Sequence, residues 1–404
     1  MREMRIPFGT ITITDKSKKL ILDCLEKGRI SGGKYVHEFE ERFADIIGAK
    51  EAVAVSSGTD ADTLALAVLH DIGAQRGDEV ITPALSFVAT GSAVLHAGFT
   101  PIFVDIDPET LNIDPDRIEK VITKRTRAII PTHLMGKPAA MDQIIAIAKK
   151  HKLVVVEDAA EAYGAKYRGN NIGALGDMGA FSLYVAHIIT TGEGGIIVTD
   201  NTQFAEILRS LRAHGRVCKC KQCISNINSG FCENRFSNGE KGDIRFLFER
   251  IGYSCKMNEL EAALGLGNLD LYDEILEKRY HNLRSIMEKF KDFSTYLWTF
   301  KEESYERIGP HAFPFVVKKG APFTRDELML YLEHQGIDAR TLFSSIPTQC
   351  GGFEFLGHKI GDFPYAEYIG RHGIHIGVHH DVNEKDIDWF FSSLRNFIKA
   401  REYR

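Results

Sequence analysis

The chain has 404 residues, 44% hydrophobic and 26% charged, enough to bury one or two substantial cores and unlike the composition of a disordered chain. Fifty Lys and Arg against 55 Asp and Glu leave a formal net charge of -5, so there is no global basic surface and nucleic acid is not an expected partner. No apolar run is long enough to span a bilayer, and the start Met1-Arg2-Glu3-Met4-Arg5-Ile6-Pro7 lacks the apolar stretch of a secretory signal, so a cytoplasmic protein with no membrane partner is expected.

In chain order, short apolar runs at 51–55, 79–82, 101–105, 128–131 and 153–156 alternate with longer amphipathic stretches. This alternation predicts βαβ units around a mostly parallel central sheet, an α/β fold, with covering helices at 60–69 and 141–151. A further strand is predicted at 195–199 and a helix at 258–266. Residues 215–245, rich in Cys, Gly, Asn, Ser and Lys and without a period, read as a long inserted loop. A long helical pattern at 271–291 then leads to a strand-like run at 312–317. The expected division is a large α/β domain over 1–265 carrying the Cys-rich loop, and a smaller C-terminal α+β domain over 266–404.

Several of these elements end in residues with chemistry. Ser56-Ser57-Gly58-Thr59-Asp60 follows a predicted strand and opens a predicted helix, where N–H groups and the helix dipole suit a phosphate; taken alone it is an ordinary helix cap. Asp158 closes one strand at the carboxyl edge of the sheet, where ligands of open α/β folds sit, and Phe87 lies at the matching end of another. Alone, the first reads as a cap and the second as core. Of seven cysteines, four fall in the spacing C-x-C-x2-C-x8-C at Cys218, Cys220, Cys223 and Cys232, which favours a metal or cluster site over a secreted disulfide framework. His372, His375, His379 and His380 lack a carboxylate-rich ligand pattern and are expected at the surface or in the core.

Gly58-Thr59, Phe87, the run from Glu157 to Ala165, Gly176-Asp177, Phe181-Ser182 and Gly192-Glu193-Gly194-Gly195 occur in an order and spacing that resembles the sugar aminotransferase (DegT/DnrJ/EryC/StrS) family of fold-type I PLP enzymes. The resemblance covers most of residues 10–270. It implies a homodimer with sites between subunits and pyridoxal or pyridoxamine phosphate (PLP/PMP) as cofactor. It also implies that Gly58, Thr59, Asp60 and Ser182 meet the phosphate, Phe87 stacks on the ring, Asp158 pairs with the pyridine nitrogen and Glu161 lies by the ring. Asp60 departs from the small or hydroxyl residue usual there, and a carboxylate beside a phosphate is unfavourable unless its side chain turns away. Ser254 stands where the family has an asparagine that reaches the partner subunit's phosphate.

His187 is the sharpest departure, because it stands where the family carries the lysine that holds PLP. A lysine amine forms an imine with an aldehyde and an imidazole does not, but an imidazole with a reference pKa near ~6.5 suits proton transfer at neutral pH. The run from His187 to Gly195 resembles the small branch of 4-keto-6-deoxyhexose 3-dehydratases, as do Tyr184 and Glu161. That likeness implies PMP-dependent removal of the C3 hydroxyl of a nucleotide-linked 4-keto-6-deoxy sugar, with His187, Tyr184 and Glu161 as catalytic groups. Cys218, Cys220 and Cys232 match ligands of the iron–sulfur members of this branch. The remaining ligand position is Ala160 here, and Cys223 stands in for it. An iron–sulfur cluster fed by a reductase or ferredoxin-type electron donor is therefore implied, with structural zinc as the alternative. Other readings are a glutamate-dependent 3-dehydratase without electron transfer, an aminotransferase with a substituted lysine, and a non-catalytic protein that binds PLP or a sugar nucleotide.

Overall fold

A computed structural model describes residues 4–402 apart from 219, 226–229 and 238–241. Seven strands form the main sheet: β1 (Glu51–Val55), β2 (Glu79–Pro83), β3 (Thr100–Val104), β4 (Thr126–Ile129), β5 (Val154–Asp158), β6 (Met178–Ser182) and β7 (Gly195–Thr199). Their order across the sheet is β1-β7-β6-β5-β4-β2-β3. β7 is antiparallel to both its neighbours, and the remaining pairs are parallel. The expected α/β fold with a mostly parallel sheet is thus present, and β6 is a strand that the apolar runs did not single out.

Alternate residues of each strand enter two different cores, as a period of two requires when both faces are covered. Ala52, Ala54, Ile129, Val155, Ile196 and Val198 face one core with helices Lys34–Ile47, Met141–His151 and Glu259–Asp270. Val53, Val55, Ala128, Val156 and Ile197 face the other, against Gly58–Ala67 and Thr202–Leu211.

The C-terminal part builds a second, antiparallel sheet from β8 (Leu297–Trp298), β9 (Ala312–Val317), β10 (Ala339–Thr341) and β11 (Gly373–Gly377), in the order β8-β9-β11-β10. Its core is aromatic, with Phe290, Phe313, Phe315, Phe390 and Phe397 buried together. The expected boundary at 265/266 falls inside helix Glu259–Asp270, and Ile6 and Phe8 from the N-terminus pack into this C-terminal core.

Two links hold the C-terminal part over the carboxyl edge of the main sheet. Asp105, just past β3, accepts the N–H groups of Tyr365 and Ala366 at 3.1 and 2.9 Å, so it caps helix Pro364–His372 from across the fold. The two-residue strand Leu85–Ser86 pairs antiparallel with Ser344–Ser345. The described part of the Cys-rich segment includes short 3-10 turns such as Glu233–Phe236 and Ile244–Phe246.

Candidate active site

The carboxyl ends of β1, β2, β5 and β6 collect the residues singled out in the sequence. Past β1, Ser57 caps helix Gly58–Ala67 by accepting the Asp60 N–H at 3.0 Å. The Asp60 carboxylate turns back to accept the Ser56 and Ser57 hydroxyls at 2.6 and 2.8 Å, so it closes the turn and does not project from it. A Cβ on Gly58 would stand 2.7 Å from Ser182 Cβ and 3.0 Å from Ser182 Oγ, which brings the end of β6 against the first turn of this helix. Gly195 is equally constrained, since a Cβ there would lie 2.1 Å from the Ser57 carbonyl oxygen. A helix N-terminus with a serine hydroxyl against it is a cradle for phosphate. Thr59 is half-buried in the same turn, whereas Ser254 is exposed on the neighbouring segment, whose Cys255 carbonyl accepts the Ser56 N–H at 3.0 Å.

Asp158 ends β5 and is buried. Its carboxylate accepts the Thr90 hydroxyl at 2.7 Å, the Thr132 hydroxyl at 3.5 Å and the Ala160 N–H at 3.3 Å. Burial pushes its pKa up, opposed first by the Thr90 hydroxyl. A protonated pyridine nitrogen would supply the opposite charge that keeps such a carboxyl ionised. Phe87 at the start of helix Val88–His96 is 56% exposed, with its ring 5.6 Å from that of Phe343 and an open face for a flat ligand. These features of the cradle, the carboxylate and the exposed ring fit a PLP-type cofactor.

His187 sits in a tight turn after β6. Leu183 donates its N–H to the Gly194 carbonyl at 2.9 Å, and Thr191 returns its N–H to the Leu183 carbonyl at 3.0 Å. Gly192, at φ +87°, takes the left-handed conformation that reverses the chain. The His187 ring lies 4.9 Å from the His311 ring, tilted by 30°, and 6.3 Å from the Tyr184 ring, edge-on. Its Nδ1 is shielded from solvent without a hydrogen-bond partner. Burial first, then the charge of Arg279, pushes its pKa down to about 3, so the imidazole is neutral over the physiological range. Tyr184 is 44% exposed and free to meet a ligand.

Glu161 is buried, accepts the Met135 N–H at 2.7 Å and lies 3.5 Å from His311 Nε2. Burial, with a further contribution from Asp158, pushes its pKa up from 4.5 to about 8, against the Met135 hydrogen bond. A carboxyl raised on folding stabilises the fold below its unfolded value and loses that contribution as pH climbs through the folded value. Stability of the cofactor-free protein is therefore expected to fall between about pH 5 and 8. Glu161→Gln is expected to recover roughly 1–3 kcal/mol at pH 9 and little at pH 4.5. Denaturant unfolding at the two pH values checks this, and equal effects at both would contradict it. Some slope is retained, because Asp62 and Asp158 are raised by burial as well.

His311, Arg279, Thr90 and Thr132 complete this site without having been found in the sequence. Arg279 is buried and donates to the Pro310 and His311 carbonyls at 3.0 and 2.7 Å. Among the histidines expected at the surface or in the core, His375 and His379 are buried.

Cys218, Cys220 and Cys223 line one cavity of about 330 Å³, shared with Arg209, Arg212, Arg216 and Lys256. Among the described residues no three His, Cys, Asp or Glu side chains are gathered closely enough to hold a metal ion, and all the cysteines are free thiols. Burial, then a hydrogen bond with Cys218 and the nearby Cys218, Cys232 and Cys223, pushes the Cys220 thiol up to about 11. As arranged, the four thiols do not form a ligand set for a metal or cluster.

Comparison with known proteins gives this geometry a context. The family model for the DegT/DnrJ/EryC1/StrS aminotransferase family matches residues 12–395. The dTDP-4-dehydro-2,6-dideoxy-D-glucose 3-dehydratase of Saccharopolyspora spinosa is 34% identical, over 97% of this chain and 86% of its own. The GDP-perosamine synthase of Caulobacter vibrioides is also 34% identical, over 96% of this chain and 97% of its own. Among solved structures, the Escherichia coli GDP-4-keto-6-deoxy-D-mannose-3-dehydratase with bound hydrated PLP superimposes with a TM-score of 0.85 at 29% identity, covering 97% of this chain and all of that one.

Proposed function

The chain belongs to the DegT/DnrJ/EryC1/StrS aminotransferase family, and from that premise we propose that it is a PMP/PLP-dependent 3-dehydratase of a nucleotide-linked 4-keto-6-deoxyhexose. The observation that carries the proposal is His187, an imidazole in the turn after β6 where the family's lysine is expected, beside the buried Glu161 and His311. The 3-dehydratase names of one relative at 34% identity and of the superimposed Escherichia coli structure support it.

PMP, when bound, supplies an amine that condenses with a ketone and a ring that accepts electrons. Gly58, Thr59 and Ser182 would hold its phosphate, Phe87 one face of its ring and Asp158 its pyridine nitrogen, with Ser254 reaching the phosphate of a partner subunit. His187, neutral and with Nδ1 unpartnered, is the group that takes up a proton and returns it to a departing hydroxyl. An anionic ligand beside the imidazole raises its proton affinity towards the neutral range, which a weak base held near 3 requires. Tyr184, exposed next to His187, orients the transfer. Glu161, held as a neutral carboxyl below about pH 8, avoids a second negative charge near Asp158. Borohydride treatment with PLP should leave no cofactor bonded to the chain; a covalent adduct at a lysine would overturn the proposal.

The proposal extends to regeneration by an iron–sulfur centre on the Cys-rich loop with a separate electron donor. It is supported by the four-cysteine spacing and by three thiols opening into one cavity among cationic side chains. After anaerobic purification we expect iron and acid-labile sulfide, lost in Cys220→Ser; zinc alone, or no metal, would end the electron-transfer reading and leave the glutamate-dependent one.

A further inference from the structure

His311 lies 124 positions from His187 in sequence and immediately before β9, yet its ring lies tilted against that of His187 at 4.9 Å and its Nε2 is 3.5 Å from Glu161 Oε1. It is buried at 4% exposure, its backbone carbonyl is fixed by Arg279 at 2.7 Å, and Phe8 packs edge-on to its ring at 5.9 Å. The other oxygen of Glu161 accepts the Met135 N–H, so the carboxyl lies between one backbone donor and one imidazole.

The unpaired nitrogen decides which way the proton points. His311 Nδ1 is buried without a partner. A neutral imidazole has one N–H, and a buried N–H left unpaired is rarer and costlier than an unused acceptor. With Glu161 ionised, the proton is therefore on Nε2, directed at that carboxylate, and Nδ1 is the bare acceptor. Doubly protonated His311 is disfavoured by burial and by His187, Arg279, His375 and Arg340 around it.

We propose that His311 is a positioning residue of this site: set between His187 and Glu161, it donates from Nε2 to the Glu161 carboxylate once that group ionises, and it fixes the plane of the His187 ring. The proposal rests on the reading of His187 as the proton-transfer group. Besides His311, the groups facing Glu161 are the Met135 N–H and the Asp158 carboxylate. Losing the donor therefore makes the Glu161 anion harder to form, and the carboxyl holds its proton to higher pH.

The test is the infrared carboxyl band of Glu161 in the full-length protein, identified by its disappearance in Glu161→Gln. In His311→Phe, which keeps a ring against His187 and Phe8 but has no donor, the titration midpoint should move up by roughly one pH unit, the size of one charge-assisted hydrogen bond. In His311→Gln, whose amide can still donate, it should stay near that of the parent. A midpoint unmoved in His311→Phe, or moved equally in both variants, overturns the proposal. If neither variant folds, nitrogen-isotope-labelled histidine spectra of the unsubstituted protein above the Glu161 midpoint decide: the Nε2–H tautomer of His311 is expected, and the Nδ1–H tautomer overturns it. A shifted band without any dehydrated sugar product would instead overturn the proposed function and leave the positioning role of His311 standing.

Discussion

His187→Asn is expected to reduce sugar dehydration by about 10²–10⁴-fold, the range associated with a positioned general acid–base group. Asparagine is close in volume and keeps polar atoms in the turn but has no nitrogen that takes up a proton near neutral pH. The turn itself is closed by backbone bonds between Leu183, Thr191 and Gly194, none of which uses the His187 ring. The variant should therefore keep its unfolding midpoint and its affinity for PMP. Turnover and PMP binding measured on the same preparation separate the effects, and activity within a factor of about three of the parent would remove His187 from the chemistry.

Asp158→Asn is expected to cost at least about 10²-fold in turnover and to weaken PMP binding, in line with the 2–5 kcal/mol lost when one member of a buried charge pair is truncated. The hydroxyls of Thr90 and Thr132 that now donate to the carboxylate can still find the amide oxygen, so the local network survives. What disappears is the charge that keeps a pyridine nitrogen protonated and the ring electron-withdrawing. The absorption spectrum of bound PLP is the check: it should report an unprotonated ring in the variant. A parent-like spectrum and rate would mean that Asp158 is only a strand-end cap.

How much of this was legible in the sequence differs by element. The sheet was, because β1 to β5 and β7 are short apolar runs whose alternate residues feed two cores, and because turn residues punctuate them. β6 was not singled out as a strand, since Met178–Ser182 contains glycine and alanine and carries a weak β signal. The cradle was legible because Ser57-Gly58-Thr59 is local, and its capping geometry is written into adjacent residues. The direction of the Asp60 carboxylate was left open in the sequence, and the hydroxyls of Ser56 and Ser57 settle it.

His311 and Arg279 lay beyond a sequence reading for a tertiary reason. Arg279 falls in the long amphipathic helix Tyr272–Phe290, where an arginine looks like a solvated surface residue. It is buried because the chain returns at Pro310–His311 with two carbonyls to receive it. The available signal was a histidine immediately before the apolar run 312–317, at the mouth of a strand, and one residue carries little weight. The cysteine spacing was visible and its arrangement was not, because thiols that line one cavity without forming a ligand set and thiols gathered around a metal have the same sequence.

Whether His187 marks a dehydratase is decided by incubating the PMP-loaded protein with 4-keto-6-deoxy sugar nucleotides, with a reductase, with glutamate, and with neither, and weighing the products. A product that has lost its C3 hydroxyl is expected. A product that instead gains an amino group at C4 and keeps that hydroxyl would contradict that expectation and make the protein an aminotransferase.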